Sequence, residues 1–178
     1  MSRFVLSVVL LSSCAHTSPP SNAASVAGLH VVDLGGREVS AYEVAEVIHV
    51  FAVLWEKEGL GTQDDVHNSL FYNPLQAFIA PSEAFLCTHT ADDTDHARCL
   101  GAHVPNSLTL FITRVDGLHL GCGSLVHEMA HEMLWRKKGK ADGNHNKFPG
   151  VWNVGGFLGK AQFILGCVPG EGDLRTWK

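Results

Sequence analysis

The residues able to do chemistry stand together at His127-Glu128-Met129-Ala130-His131. On an α-helix, residues four apart lie one turn above each other on the same face. His127 and His131 can therefore direct two imidazoles at one metal ion. Glu128, one residue along, falls beside the open side of that metal, where a carboxylate can take a proton from water. The five residues specify two ligands and a base, provided they are helical.

A catalytic zinc needs three protein ligands and one open position. After Gly139 the chain reads Lys140-Ala141-Asp142-Gly143-Asn144-His145-Asn146-Lys147-Phe148. His145 is the expected third ligand, in a polar loop that can fold back under the metal. Asp142 is an alternative ligand, better read as accepting a hydrogen bond from a ligand histidine or fixing the turn. His119, shortly before the motif, is a weaker candidate. The order HExxH, a Gly/Asp-bearing turn, then His and an aromatic resembles the SprT-like zinc metallopeptidases, over about Ser124 to Trp152. That resemblance implies that His127, His131 and His145 bind zinc and that Glu128 is the general base. The HExxHxxGxxH of metzincins is absent, and no second helix with a glutamate ligand is evident after His145. No spacing argument singles out an oxyanion donor; Tyr42, Tyr72 and His103 remain without one.

These side chains need a helix to carry them, and the flanks supply one. Ser124 is suited to the N-cap, after Gly123. Leu125, Val126, Met129, Ala130 and Met133 make an apolar face from which His127, His131 and Trp135 point away. Arg136, Lys137 and Lys138 suit the negative end of the helix dipole, and Gly139 is a natural stop. Upstream, His30–Leu34 reads as a strand. Ser40-Ala41-Tyr42-Glu43 is a capping box, opening a helix on Val44, Val47, Ile48, Phe51 and Trp55 to about Lys57. Residues 64–73 read as a polar connection, Leu75–Ala80 and Asn106–Val115 as strands, and Phe157–Leu165 as a short helix behind the motif, with Trp152 walling the cleft. The expected class is α+β and zincin-like: a small mixed sheet packed on an N-terminal helix and the HExxH helix. In such a fold a strand beside the cleft can bind extended peptide by adding it to the sheet edge.

The chain has 178 residues, 46% of them hydrophobic, which suits one domain with a real core. Net charge is −5 and no long basic block occurs, so nucleic acid is not an expected partner, and the DNA-linked substrates of some SprT-like proteins are not carried over. Nothing suggests an oligomerisation face, so a monomer is expected. Met1-Ser2-Arg3 followed by apolar Phe4–Leu11 reads as an export leader, too short to span a bilayer as a helix. Leu11-Ser12-Ser13-Cys14 resembles a bacterial lipobox. That implies cleavage before Cys14, lipidation of its thiol and anchoring in the cell envelope, at the outer membrane because Ala15 and not Asp follows. The expected division is a signal peptide over 1–13, a flexible tether over 14–27 and a metallopeptidase domain over 28–178.

With Cys14 acylated, Cys87, Cys99, Cys122 and Cys167 remain. In an oxidising compartment this suggests two disulfides, for which Cys87–Cys99 and Cys122–Cys167 are favoured. The expected activity is zinc-dependent hydrolysis of peptide or protein substrates, with Glu128 as base. The alternative is an envelope lipoprotein that binds zinc without catalysis.

Overall fold

The structure is a computed structural model and describes residues 21–82, 85–87, 97–104, 106–143, 145–153 and 155–167. The fold is α+β. Strands β1 (Ala23–Val26), β2 (Leu29–Asp33), β3 (Leu75–Ile79), β6 (Gly101–Val104) and β7 (Thr109–Ile112) form one mixed sheet, and β4 (Phe85–Cys87) pairs with β5 (Ala97–Cys99) in a separate ribbon. The sheet order is β1-β2-β3-β7-β6. The central β2, β3 and β7 run parallel, while the two outer strands are antiparallel to their neighbours. The inward residues alternate as a strand requires: Leu29, Val31 and Asp33, then Leu75, Ala77 and Ile79, then Leu110 and Ile112 are all buried.

Helix α1 (Ala41–Lys57) begins where the sequence places it, with the Ser40 hydroxyl accepting from the Glu43 amide at 3.4 Å. The Glu43 side chain does not close the expected box. It accepts from the Leu120 amide at 3.2 Å and from Arg114 at 3.3 Å, so it ties the helix start to the segment before the HExxH helix. Phe51 and Trp55 of α1 meet Phe157 of α5 (Phe157–Ile164), with ring centroids 4.8 and 5.5 Å apart, at the centre of the core.

Three expectations need correction. The tether does not reach residue 27: Ala23–Val26 is a strand. Ala27 (φ 46°) and Gly28 (φ 87°) make a tight hairpin turn with two positive φ angles, which matches the twist of β1 and β2. A Cβ at Gly28 would fall 2.2 Å from the Leu70 carbonyl oxygen, so glycine is required there twice over. Residues 14–20 of the expected tether, and the leader with Cys14, lie outside the described residues. Second, the polar connection over 64–73 is helix α2 (Gln63–Tyr72), opened by a complete capping box between Thr62 and Asp65 and seated through buried Val66 and Leu70. Third, the strand expected over 106–115 is only β7; Asn106 (φ 64°) and Leu108 (φ 55°) form the turn that brings in antiparallel β6.

Cys122 and Cys167 form a disulfide with Cα atoms 5.3 Å apart, joining the short 3-10 turn Leu120–Cys122 to the residues after α5. Cys99 is also disulfide-bonded. The Cys87 side chain lies outside the described ones, as does most of the loop between Cys87 and Cys99. Among the described residues no helix is long and apolar enough to cross a membrane.

Candidate metal centre

The HExxH residues lie in α3 (Leu125–Lys138), which Gly139 ends in the left-handed conformation (φ 65°), as its position predicts. Ser124 occupies the N-cap position but does not cap. Its hydroxyl donates to the Leu100 carbonyl at 2.6 Å and accepts from the Thr113 amide at 2.9 Å, fastening the helix start to the strand segments beside it. α3 is also not two-faced as expected: Leu125 to Leu134 are all buried. β6 and the loop after Gly139 cover the face that carries the histidines.

The three expected histidines converge. His131 Nε2 lies 3.0 Å from His127 Nε2 and 3.1 Å from His145 Nε2. All three ligand atoms fall within 4.8 Å of one another. His127 and His131 are buried, and His145 is half-buried. His131 Nδ1 donates to the Ala141 carbonyl at 2.6 Å, which leaves Nε2 of the neutral ring as a bare lone pair facing its neighbours. Nitrogen lone pairs gathered this closely repel unless a cation or proton lies between them. Tetrahedral zinc–nitrogen bonds of about 2.0–2.1 Å set ligand nitrogens about 3.3 Å apart, close to the spacing found here. The donor set therefore fits a metal ion that prefers imidazole.

Electrostatics favour the same use. Burial, and then the neighbouring His131 and His145, hold His127 well below the ordinary imidazole range. His131 drops to about 4, chiefly through burial, with His145 and His103 adding to the fall. Both rings are neutral near pH 7 and offer lone pairs without proton competition. The Glu128 carboxylate lies 4.0 Å from His127 Nε2 and is pushed up to about 8 by burial alone. A dication beside it would favour the carboxylate form.

Asp142 is not among the clustered ligand atoms. Burial alone would raise it, but its hydrogen bonds outweigh that and hold it below the usual carboxylate range. It accepts from the amides of Asn146 (3.2 Å), Lys147 (3.0 Å) and Phe148 (2.9 Å) and from the Trp152 indole at 2.8 Å. It thus shapes the loop that delivers His145, and Asp142 and His145 themselves adopt positive φ of 57° and 55°. Trp152, in the short helix α4 (Pro149–Trp152), lays its ring 4.5 Å from His131 and His145 and 5.1 Å from His127, centroid to centroid. His119 is elsewhere, near Glu46 at 3.3 Å, and Tyr42 and Tyr72 are exposed.

Gly101 has no part in the sequence expectations, and His103 enters them only as an oxyanion donor without a spacing argument; both stand beside the centre. His103 of β6 meets Glu132, whose other oxygen accepts from Arg136. Burial works against the ionised Glu132, but His103 and Arg136 prevail and hold it below the ordinary range. Gly101 of β6 lies directly against Glu128. Gly101 and His103 are two apart on a strand, and Glu128 and Glu132 four apart on a helix, a match of spacings that shows only once β6 is placed beside α3.

No protein-family model, curated protein or solved structure matches the chain.

Proposed function

We propose that the chain is a zinc-dependent metallopeptidase of zincin-like build. The observation that carries this reading is the convergence of three imidazole nitrogens with the Glu128 carboxylate 4.0 Å from one of them. The order of elements supports it: a mixed sheet ends in antiparallel β6, and β6 runs beside the helix that bears the motif. Among the described residues no strand pairs with the far edge of β6, so that edge can align an extended peptide by main-chain hydrogen bonds.

His127, His131 and His145 would hold the ion. When bound, zinc supplies Lewis acidity, polarising a carbonyl and acidifying water. Glu128 accepts the proton of the attacking water and returns it to the nitrogen of the leaving amine. Ala141 fixes the tautomer of His131, and Asp142 and Trp152 hold the loop that carries His145. The buried surroundings of Glu128 keep competing water from its carboxylate.

Zinc analysis of the oxidised chain, beside His127→Ala and His145→Ala, tests the centre. About one zinc per chain is expected from a three-histidine site, lost in both variants, together with hydrolysis of a peptide library by the wild type. A folded wild type without zinc would overturn the proposal, and zinc without hydrolysis would favour the non-catalytic zinc-binding alternative. Export and lipid anchoring at Cys14 rest on the lipobox resemblance; Cys14→Ser should release the chain from the membrane fraction, and an unchanged membrane fraction would remove that part.

A further inference from the structure

β6 and α3 meet in a matched pair of contacts. Gly101 and His103, two apart on a strand, point to the same side, and Glu128 and Glu132, four apart on a helix, stack along one face. Two strand residues advance about 6.6 Å and four helical residues about 6 Å, so the two spacings agree. Gly101 faces Glu128 so closely that a Cβ there would fall 2.2 Å from Oε1 and 2.7 Å from the carboxyl carbon. One step along, His103 Nε2 meets Glu132, with the two side chains only 4% and 2% exposed. Arg136 holds the other Glu132 oxygen and also donates to the Ser69 carbonyl and hydroxyl, each at 2.8 Å, so the chain of bonds runs from α2 through α3 to the outermost strand.

A slip of β6 by one residue would turn its faces over, and a slip by two would preserve them. The second slip is the more dangerous. It would bring Cys99 or His103 opposite Glu128, and either carries a Cβ that the carboxylate leaves no room for. β7 pairs with this four-residue outermost strand on one side, and the Leu100 carbonyl just before it accepts from the Ser124 and Thr113 hydroxyls, each at 2.6 Å, so its start is tied and His103 is the side chain that ties it to α3 further along.

We propose that His103 is a positioning residue: through Glu132 it fixes the register of β6 along α3, so that Gly101 leaves the Glu128 carboxylate its place in the metal centre. The assignment of Glu128 as base rests on the peptidase reading, while the register role does not.

The test compares wild type, His103→Ala and His103→Gln as full-length, oxidised, zinc-loaded protein. Glutamine places an amide donor near the position of His Nε2 and can keep the bond to Glu132. Zinc per chain should be the same in all three. Amide exchange at Gly101–Val104 should rise about tenfold or more in His103→Ala, the size expected for losing a hydrogen bond to a charged group, and return towards wild type in His103→Gln. kcat should fall by about the same factor in His103→Ala with KM little changed, and the fall should vanish when His103→Ala is placed in a Glu128→Ala background. Wild-type exchange at β6 in His103→Ala, or an equal loss of rate in both backgrounds, would overturn the proposal. An inactive wild type would bring down the peptidase reading, and the exchange measurement would still decide the register.

Discussion

Glu128→Ala is expected to retain its zinc and to lose hydrolysis by about 10²–10⁴-fold, the range for removing a general acid–base group. Glu128 contributes no atom to the three-nitrogen cluster, so its removal leaves the ligand set whole. Its carboxylate lies 4.0 Å from His127 Nε2, where a water near the ion would be within reach. The side chain is also packed against Gly101, so Glu128→Gln is the sharper variant: it keeps the volume and the contact and removes the basic lone pair. Both should lower kcat far more than KM, because the lost interaction is made on the way to the transition state. Zinc analysis and steady-state kinetics on the same preparation check this. A zinc-replete variant with normal turnover would end the general-base assignment.

The second large effect is expected at Asp142. Four donors converge on its carboxylate, three of them backbone amides of the loop that carries His145. Asp142→Ala orphans all of them in a part-buried setting, at about 1–3 kcal/mol for each donor that finds no water. It keeps a residue with a Cβ at φ 57°, so the backbone strain stays while its compensation is lost. His145 should then be poorly held, and zinc affinity should fall about 10–100-fold, as for other residues that orient metal ligands through hydrogen bonds. Asp142→Asn keeps one acceptor oxygen and should lie between. His145→Ala should weaken zinc binding further than Asp142→Ala, because it deletes a ligand and not its support. Competition titration with a zinc chelator ranks the three variants. The reverse order would return Asp142 to the role of third ligand.

The parts of the site legible in the sequence were those encoded by short-range spacing. HExxH specifies a helical face by itself, and Gly139 marks its end without reference to any other segment. His145 was legible because, with Asp142, it is one of only two metal-ligating side chains in the adjoining loop. β2 and β3 announced themselves as short, largely apolar runs closed by Gly35-Gly36 and by Pro81, and α1 by its apolar stripe. What stayed hidden depends on segments far apart in the chain. Ser124 has the chemistry of an N-cap, yet its hydroxyl is taken by Leu100 and Thr113, which no local rule anticipates. Glu43 likewise leaves its own helix start for Leu120 and Arg114. Residues 64–73 looked like a connection because only Val66 and Leu70 are buried, too few for an apolar stripe to stand out. The pairing of Gly101 with Glu128 and of His103 with Glu132 joins positions 27 and 29 residues apart, and becomes visible only once β6 is laid along α3.

The Cys122–Cys167 bond closes a covalent ring of chain, with a sequence separation of 45 residues. His127, Glu128, His131, Asp142, His145 and Trp152 all lie inside that ring, while Gly101 and His103 lie outside it. In the oxidised but unfolded protein the three histidines therefore stay within one small loop, and much of the entropy of gathering them is already lost. A metal ion meeting such a chain would find these three imidazoles at raised effective concentration. The three clustered histidines are contained in the ring, while β6, which packs against Glu128, is contributed from outside it.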